Sequence, residues 1–184
     1  MKKVEIRLAG TGGQGVVLAS VILAEAAGVY DNWFVAQTQS YGPEARGGAS
    51  RADVIISDRE IYYPKCRKLD LLVALSQPAV DKYLSDLKVM GIAVIDDFYV
   101  RECPHPQTVC LPLSKVARER LGRELFTNIV TLGAVARITG FVRLDSLKEA
   151  VANRVPARFR EINSTALQVG WQLPDELQIR GMSG

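Results

Sequence analysis

Val4-Glu5-Ile6-Arg7-Leu8-Ala9-Gly10-Thr11-Gly12-Gly13-Gln14-Gly15-Val16 is the stretch whose reading decides the fold. Apolar and charged residues alternate from Val4 to Ala9, which is the period of a strand. Six residues rich in glycine then interrupt it. Val16 to Ala27 is dominated by Ala, Val and Leu, contains no Gly or Pro and is apolar nearly all round, so it predicts a buried helix closed by Gly28. Strand, glycine turn and buried helix, in that order, form the first unit of an open α/β sheet.

Working outward, Trp33 to Gln37 predicts a second strand. Ala52 to Ser57 and Ile61 to Tyr63 predict two more, joined by Asp58-Arg59-Glu60 as an antiparallel hairpin. Leu71 to Leu75 is wholly apolar, as strands buried on both faces of a parallel sheet are. A helix from Pro78 to about Leu87, a strand over Ile92 to Ile95 and a short strand over Val109 to Leu111 follow. Helical spacing recurs in Ser114 to Leu121, Asn128 to Ile138, Ser146 to Arg154 (with Asp145 as its N-cap) and Arg158 to Val169. Pro174 to Gly184 is polar with scattered glycine and predicts a loose tail. The expected architecture is a single domain over residues 1–173 and a tail over 174–184. Its class is α/β: a three-layer α/β/α sandwich, mostly parallel, with one antiparallel hairpin and a Rossmann-like opening unit.

Composition sets the outer limits. With 184 residues, 48% of them hydrophobic, the chain can bury one core without staples. Its 23 Lys and Arg against 20 Asp and Glu leave a net charge of only +3, which does not call for a nucleic acid. Aromatics at 7% argue against base-stacking platforms. The three cysteines, Cys66, Cys103 and Cys110, form no CxxC pair; this fits a reducing compartment and rules out an iron–sulfur or zinc site made from these cysteines alone. The longest nearly unbroken apolar run, Val16 to Ala24, falls short of the roughly 20 residues of a membrane span. Glu5 and Arg7 break any signal-peptide core, so the expected location is the cytoplasm, with no membrane attachment.

Gly10-x-Gly12-x-x-Gly15 fits the dinucleotide fingerprint in the right context. Gly10 permits a tight turn, Gly12 lets backbone approach a ligand, Gly15 lets helix and strand pack, and the helix start offers unpaired N–H groups to an anion. A nicotinamide dinucleotide also needs an acid at the end of the second strand. That stretch is Ala36-Gln37-Thr38-Gln39, and Asp31 lies at the wrong end. Three uses stay open: a turn that only packs the helix, a seat for an anion such as a coenzyme A phosphate, or a contact with a partner chain. A second loop, Ser40-Tyr41-Gly42-Pro43-Glu44-Ala45-Arg46-Gly47-Gly48, carries a Gly-Pro turn and an arginine suited either to clamping a phosphate or carboxylate or to pairing with Glu44.

Together, Ala9 to Val16 and Gln39 to Gly48 resemble the gamma subunit of 2-oxoacid:ferredoxin oxidoreductases, and Asp70 to Gln77 and Asn128 to Ala134 fit the same pattern. The resemblance runs over residues 4–170. The spelling Ser-Tyr-Gly-Pro-Glu-Ala-Arg-Gly-Gly is most similar to the 2-oxoglutarate branch, with the pyruvate and branched-chain branches nearest to it. The resemblance implies an α/β/α gamma polypeptide in a complex with alpha, beta and ferredoxin-like delta subunits. That complex decarboxylates a 2-oxoacid on thiamine diphosphate with Mg²⁺, forms the acyl-CoA, and passes electrons through iron–sulfur clusters to ferredoxin. The gamma chain itself is then structural and non-catalytic, holds no metal, and contributes to the coenzyme A pocket. The candidate contacts are Gly10, Gly12, Gly13, Gln14 and Gly15, with Arg46, Gly47 and Gly48. The rivals are a stand-alone Rossmann NAD(P)-dependent oxidoreductase and a free coenzyme A- or nucleotide-binding module.

Other reactive residue types read as structure. His105 sits between prolines with too few ligands near it for a metal. Cys66, flanked by Lys65, Arg67 and Lys68, has the charge to favour a thiolate but no visible base or resolving thiol. Asp96-Asp97 follows a buried strand and suits a turn or helix cap, or else a cation or ribose. The arginines of 118–120 and 154–160 suit a solvated helix face or a partner's rim.

Overall fold

The computed structural model describes residues 3–40 and 49–181. The elements are β1 (Lys3–Gly10), α1 (Val16–Glu25), β2 (Phe34–Ser40), β3 (Ser50–Ser57), β4 (Leu69–Ala74), α2 (Gln77–Tyr83), β5 (Leu87–Asp96), β6 (Thr108–Leu111), α3 (Leu113–Leu121), α4 (Thr127–Thr139), α5 (Leu144–Arg154) and α6 (Arg160–Gly181). One sheet has the order β2-β3-β1-β4-β5-β6. β1, β4, β5 and β6 run parallel, and β3 is antiparallel to both its neighbours, β1 and β2.

The antiparallel element is therefore β2–β3 and not a hairpin over 52–63. Both edges of β3 are already paired, so no edge is free for a strand at Ile61–Tyr63, and that stretch is irregular with Tyr62 exposed. The Rossmann-like opening is likewise modified, since β3 is inserted between β1 and β2.

The period-2 pattern of the strands sends side chains to two unlike faces. Ile6, Leu8, Val54, Ile56, Leu71 and Val73 pack under α1 and α3–α6 in the larger core. Ala9, Leu72, Ala74, Ala93 and Ile95 pack against α2 in the smaller one. Beside α2 the second face carries charge. Arg7, 3% exposed, is held by both carboxylate oxygens of Asp53 at 2.7 and 2.9 Å and by Asp86, and it stacks on Tyr83. Burial works against the Arg7 charge, but the two carboxylates outweigh it and bind the proton more firmly than on a free arginine. Glu5 answers in the same way: burial alone raises its pKa, while Lys3 and the N–H groups of Arg67 and Lys68 turn the net shift downward.

α1 does not stop at Gly28. It widens into a π turn over Ala26–Tyr30, and Gly28 brings the chain close to Val35. Arg143, not Asp145, occupies the N-cap position of α5. Asp31 serves that end instead, accepting bonds from the Arg143 backbone and side chain and from Ser146. α6 runs through Pro174 to Gly181, where a loose tail is expected from sequence. Leu173 is buried, Leu177 packs on the core, and Arg137–Asp175 and Arg120–Glu176 tie the last turns to the rest of the fold. α4 and α6 cross with their backbones touching: a Cβ on Gly133 lies 2.1 Å from the Leu167 carbonyl oxygen, and one on Gly170 lies 1.9 Å from that of Val130.

Candidate functional site

The connection after β1 leads to α1 on one face, and the connection after β4 leads to α2 on the other. Such a divergence opens a crevice outside the carboxyl ends of the two strands, the usual ligand position in an open α/β sheet. Gly10 to Gly15 lie there. The backbone is left-handed at Gly13 (φ 92°) and Gly15 (φ 71°), whereas Gly12 is not in that region. A Cβ on Gly13 meets nothing within 4 Å, so this peptide is open to a ligand. A Cβ on Gly15 collides with Asn128 at the start of α4, whose side-chain amide donates to the Gly15 carbonyl at 3.3 Å.

Gln14 fixes the loop. Its Oε1 accepts the Thr11 N–H at 2.7 Å, and its Nε2 donates to the Leu75 carbonyl at 2.9 Å, so one side chain spans the crevice from β1 to β4. The next residue, Ser76, is 5% exposed, and its buried Oγ has no hydrogen-bond partner among the described residues. A buried orphan hydroxyl costs about 1–3 kcal/mol unless a partner arrives. Ser76 and Asn128 fall within the stretches Asp70–Gln77 and Asn128–Ala134 that carry the resemblance, but neither is named there as a site residue. Each stands just beyond or at the start of a predicted element, and only the tertiary fold brings them to the glycine loop.

The register Gly10↔Ser50 places the end of β1 opposite the start of β3. The two strands that flank the second glycine loop, ending at Ser40 and starting at Ser50, thus reach the same edge of the sheet as the first loop. Arg46, Gly47 and Gly48 lie outside the described residues. At the end of that loop Tyr83 donates to the Ala49 carbonyl at 3.2 Å, and Arg51 stacks on the Tyr83 ring.

The remaining candidates have structural partners. Asp96 is fully buried and accepts the N–H groups of Ser114 and Phe98; burial raises its pKa against those bonds, with Asp97 adding to the rise. Cys66 is no thiolate: burial pushes its thiol up to about 12, and Asp53 and Glu5 add to the effect. The His105 ring meets the Gly91 carbonyl at 2.7 Å. Gln37, where a dinucleotide fold places its acid, bonds to Ser20, and β2 is not the neighbour of β1. Among the described residues no three His, Cys, Asp or Glu converge, so their donor set does not fit a cluster or a Mg²⁺ ion. Among the same residues no helix is long and apolar enough to cross a membrane.

An apolar hollow of about 210 Å³ opens on the same side, beside Gly15 and Asn128, between Leu18, Leu125 and Phe159. It adjoins a groove of about 580 Å³ that carries Arg120, Arg123 and Arg158.

The family model for pyruvate ferredoxin/flavodoxin oxidoreductase matches residues 5–173. The chain belongs to that family. As a member, it is 45% identical over 177 residues to the 2-oxoglutarate synthase subunit KorC of Methanocaldococcus jannaschii, covering 94% of this chain and 95% of the relative. The crystal structure of a keto/oxoacid ferredoxin oxidoreductase gamma subunit from Geobacter sulfurreducens superposes with a TM-score of 0.87 at 43% identity, covering 94% and 97% of the two chains. A 2-oxoglutarate:ferredoxin oxidoreductase from Magnetococcus marinus, solved with 2-oxoglutarate, coenzyme A and succinyl-CoA bound, shares the fold at a TM-score of 0.81 and 23% identity. The match takes in 96% of this chain but 32% of that one. The family member described here is a subunit of a multi-subunit 2-oxoacid:ferredoxin oxidoreductase.

Proposed function

We propose that this chain is the gamma subunit of a 2-oxoglutarate:ferredoxin oxidoreductase, acting in the cytoplasm with alpha, beta and ferredoxin-like delta polypeptides. The observation that carries the reading is the 45% identity to a 2-oxoglutarate synthase subunit over nearly the whole of both chains. In the complex, thiamine diphosphate with Mg²⁺ and the iron–sulfur clusters supply decarboxylation and electron transfer to ferredoxin, and coenzyme A takes the succinyl group. Among the described residues no donor set fits the metal groups, and the reading assigns those cofactors to the other polypeptides.

The share of this chain is positioning. The open peptide at Gly13, the N–H groups entering α1 at Gly15 and the orphan Ser76 hydroxyl suit a phosphate of coenzyme A. Gly10, Gly12 and Gln14 shape the turn, and Arg46, Gly47 and Gly48 are the second loop's contribution to the same ligand.

The test is reconstitution of the complex and assay of ferredoxin reduction with 2-oxoglutarate, pyruvate and a branched-chain oxoacid. A kcat/KM for 2-oxoglutarate at least about tenfold above the others is expected, and preference for another oxoacid rejects the substrate assignment. Ser76→Ala is expected to raise the KM for coenzyme A several-fold and leave that for 2-oxoglutarate unchanged. An unaltered coenzyme A KM rejects the contact.

A further inference from the structure

Three apolar side chains around the hollow beside Gly15 stand in solvent: Leu18 is 39% exposed, Leu125 68% and Phe159 37%. They are rigidly presented. Leu125 sits in the tight turn Glu124–Phe126, whose Glu124 side chain is held by Tyr99 on one side and Arg118 on the other. The Thr127 hydroxyl donates to the Glu124 carbonyl at 2.7 Å and closes the turn from within. Phe159 sits in a second tight turn, Ala157–Phe159, with its carbonyl bound by Asn163 at 2.7 Å and its ring covered on one side by Arg158. A surface leucine on an ordinary turn is free to fold back. Here two separate turns are pinned with their apolar side chains outward, so the ordering cost of a contact is already met.

The charge beside the hollow is mainly positive. Arg123 and Arg158 line the adjoining groove and have no carboxylate within ion-pair distance among the described residues, whereas Arg120 on the same wall is satisfied by Glu176. Among the described residues Glu161 is the one acid lining that groove. The Magnetococcus enzyme carries this fold as about a third of a longer polypeptide, whereas the Methanocaldococcus and Geobacter relatives are matched over 95% and 97% of their own lengths. Contacts made within one polypeptide in the first are made between polypeptides where the fold is a subunit by itself.

We propose that the Leu18–Leu125–Phe159 hollow, flanked by Arg123 and Arg158, is the seat of a partner subunit of the same complex. The segment it fits carries one large apolar side chain, for the hollow, between carboxylates that meet the two arginines. The proposal rests on the subunit reading above. Its chemistry is that of an interface hot spot: an apolar anchor in a preformed pocket with charge complementarity at the rim.

The test co-expresses the tagged chain with the alpha, beta and delta polypeptides and measures the partner recovered per tagged chain. Leu125→Asp and the pair Arg123→Glu with Arg158→Glu are each expected to lower recovery at least about tenfold, with far-UV circular dichroism and urea midpoint unchanged because all three positions are exposed. Met90→Asp, on a separate exposed strand position, is expected to recover partner like the wild type. A photo-crosslinking amino acid at position 125 is expected to mark an acidic segment of another subunit. Wild-type recovery from both groove variants, or a crosslink to a second copy of this chain, overturns the proposal. So does a rise in coenzyme A requirement with full recovery, which gives the groove to a small anion instead. Failure of the unmodified chain to recover any partner overturns the subunit reading itself, and is thereby distinct from failure at the groove.

Discussion

Gly170→Ala tests the packing that holds the crevice in shape. Alanine in a free helix is more favourable than glycine by about 1 kcal/mol, so helix propensity alone predicts a more stable protein. The crossing of α4 and α6 predicts the reverse. The new Cβ falls 1.9 Å from the Val130 carbonyl oxygen and 2.7 Å from its carbon, both backbone atoms that no rotamer change can move. An ordinary carbon–oxygen contact is about 3.3 Å, so the helices must part by about 1.4 Å. A gap of 0.5–1 Å already forfeits about a quarter to a half of each dispersion contact. The seam includes Val130, Ala134, Ala166 and Leu167, all without solvent exposure. A loss of about 3–4 kcal/mol against the 1 kcal/mol propensity gain leaves a net destabilisation of about 2–3 kcal/mol, in the range of other overpacked cores. With an m value of about 2 kcal/mol per molar urea, the unfolding midpoint should drop by about 1–1.5 M at unchanged m. Gly133→Ala should behave likewise, and the double variant should cost less than the sum, because the first substitution has already opened the seam. A midpoint equal to or above that of the wild type would refute the reasoning.

Gly15→Ala combines a left-handed backbone with a collision at Asn128, and should cost more stability than Gly13→Ala, which is strained by about 1–2 kcal/mol but meets open space; equal urea midpoints would contradict the geometry. Arg7→Met leaves Asp53 buried and unpaired and should cost about 3–5 kcal/mol by urea unfolding, with Asp53→Leu in the same chain recovering much of it. Asp96 has its pKa raised by burial, so the folded state holds that proton more tightly than the unfolded state. Its stability contribution therefore falls as pH rises from the ordinary aspartate value through the raised one. Asp96→Asn keeps an acceptor for Ser114 and should gain on the wild type across that window; a pH-independent difference would refute the assignment. Cys66, at about 12 against an ordinary 9.0, should react with iodoacetamide at pH 8 about a thousandfold more slowly than an unperturbed thiol until the protein unfolds.

Elements with strong local signals were legible from residues alone. The alternation of Val4–Ala9, the apolar run Leu71–Leu75 and the spacing of Asn128–Ile138 each mark an observed element. Pairing was not, because nothing local in β3 says that it inserts between β1 and β2. The stop at residue 173 failed because Leu173 and Leu177 and two ion pairs carry the helix past Pro174. The glycine loop was legible through its spacing, but Leu75, just past the end of β4, and Asn128, at the start of α4, reach it from 61 and 113 residues away. Cys66 shows the error most plainly. Its neighbours in sequence are Lys65, Arg67 and Lys68, but the groups that set its titration are Asp53, Glu5 and the core around it.

The insertion of β3 beside β1 also sets an order of events during synthesis. β1 leaves the ribosome before its partners, and neither of its edges is paired until β3 and then β4 follow. A nascent chain released after Ser57 holds only β1, β2 and β3, an antiparallel sheet with β3 in the middle and the edge of β1 that later pairs with β4 still bare. The crevice needs more: Leu75 to anchor Gln14, and Asn128 to seat Gly15. Its loop acquires a fixed shape only once Asn128, 113 residues beyond Gly15, has emerged, so the first motif of the chain is among the last to be set.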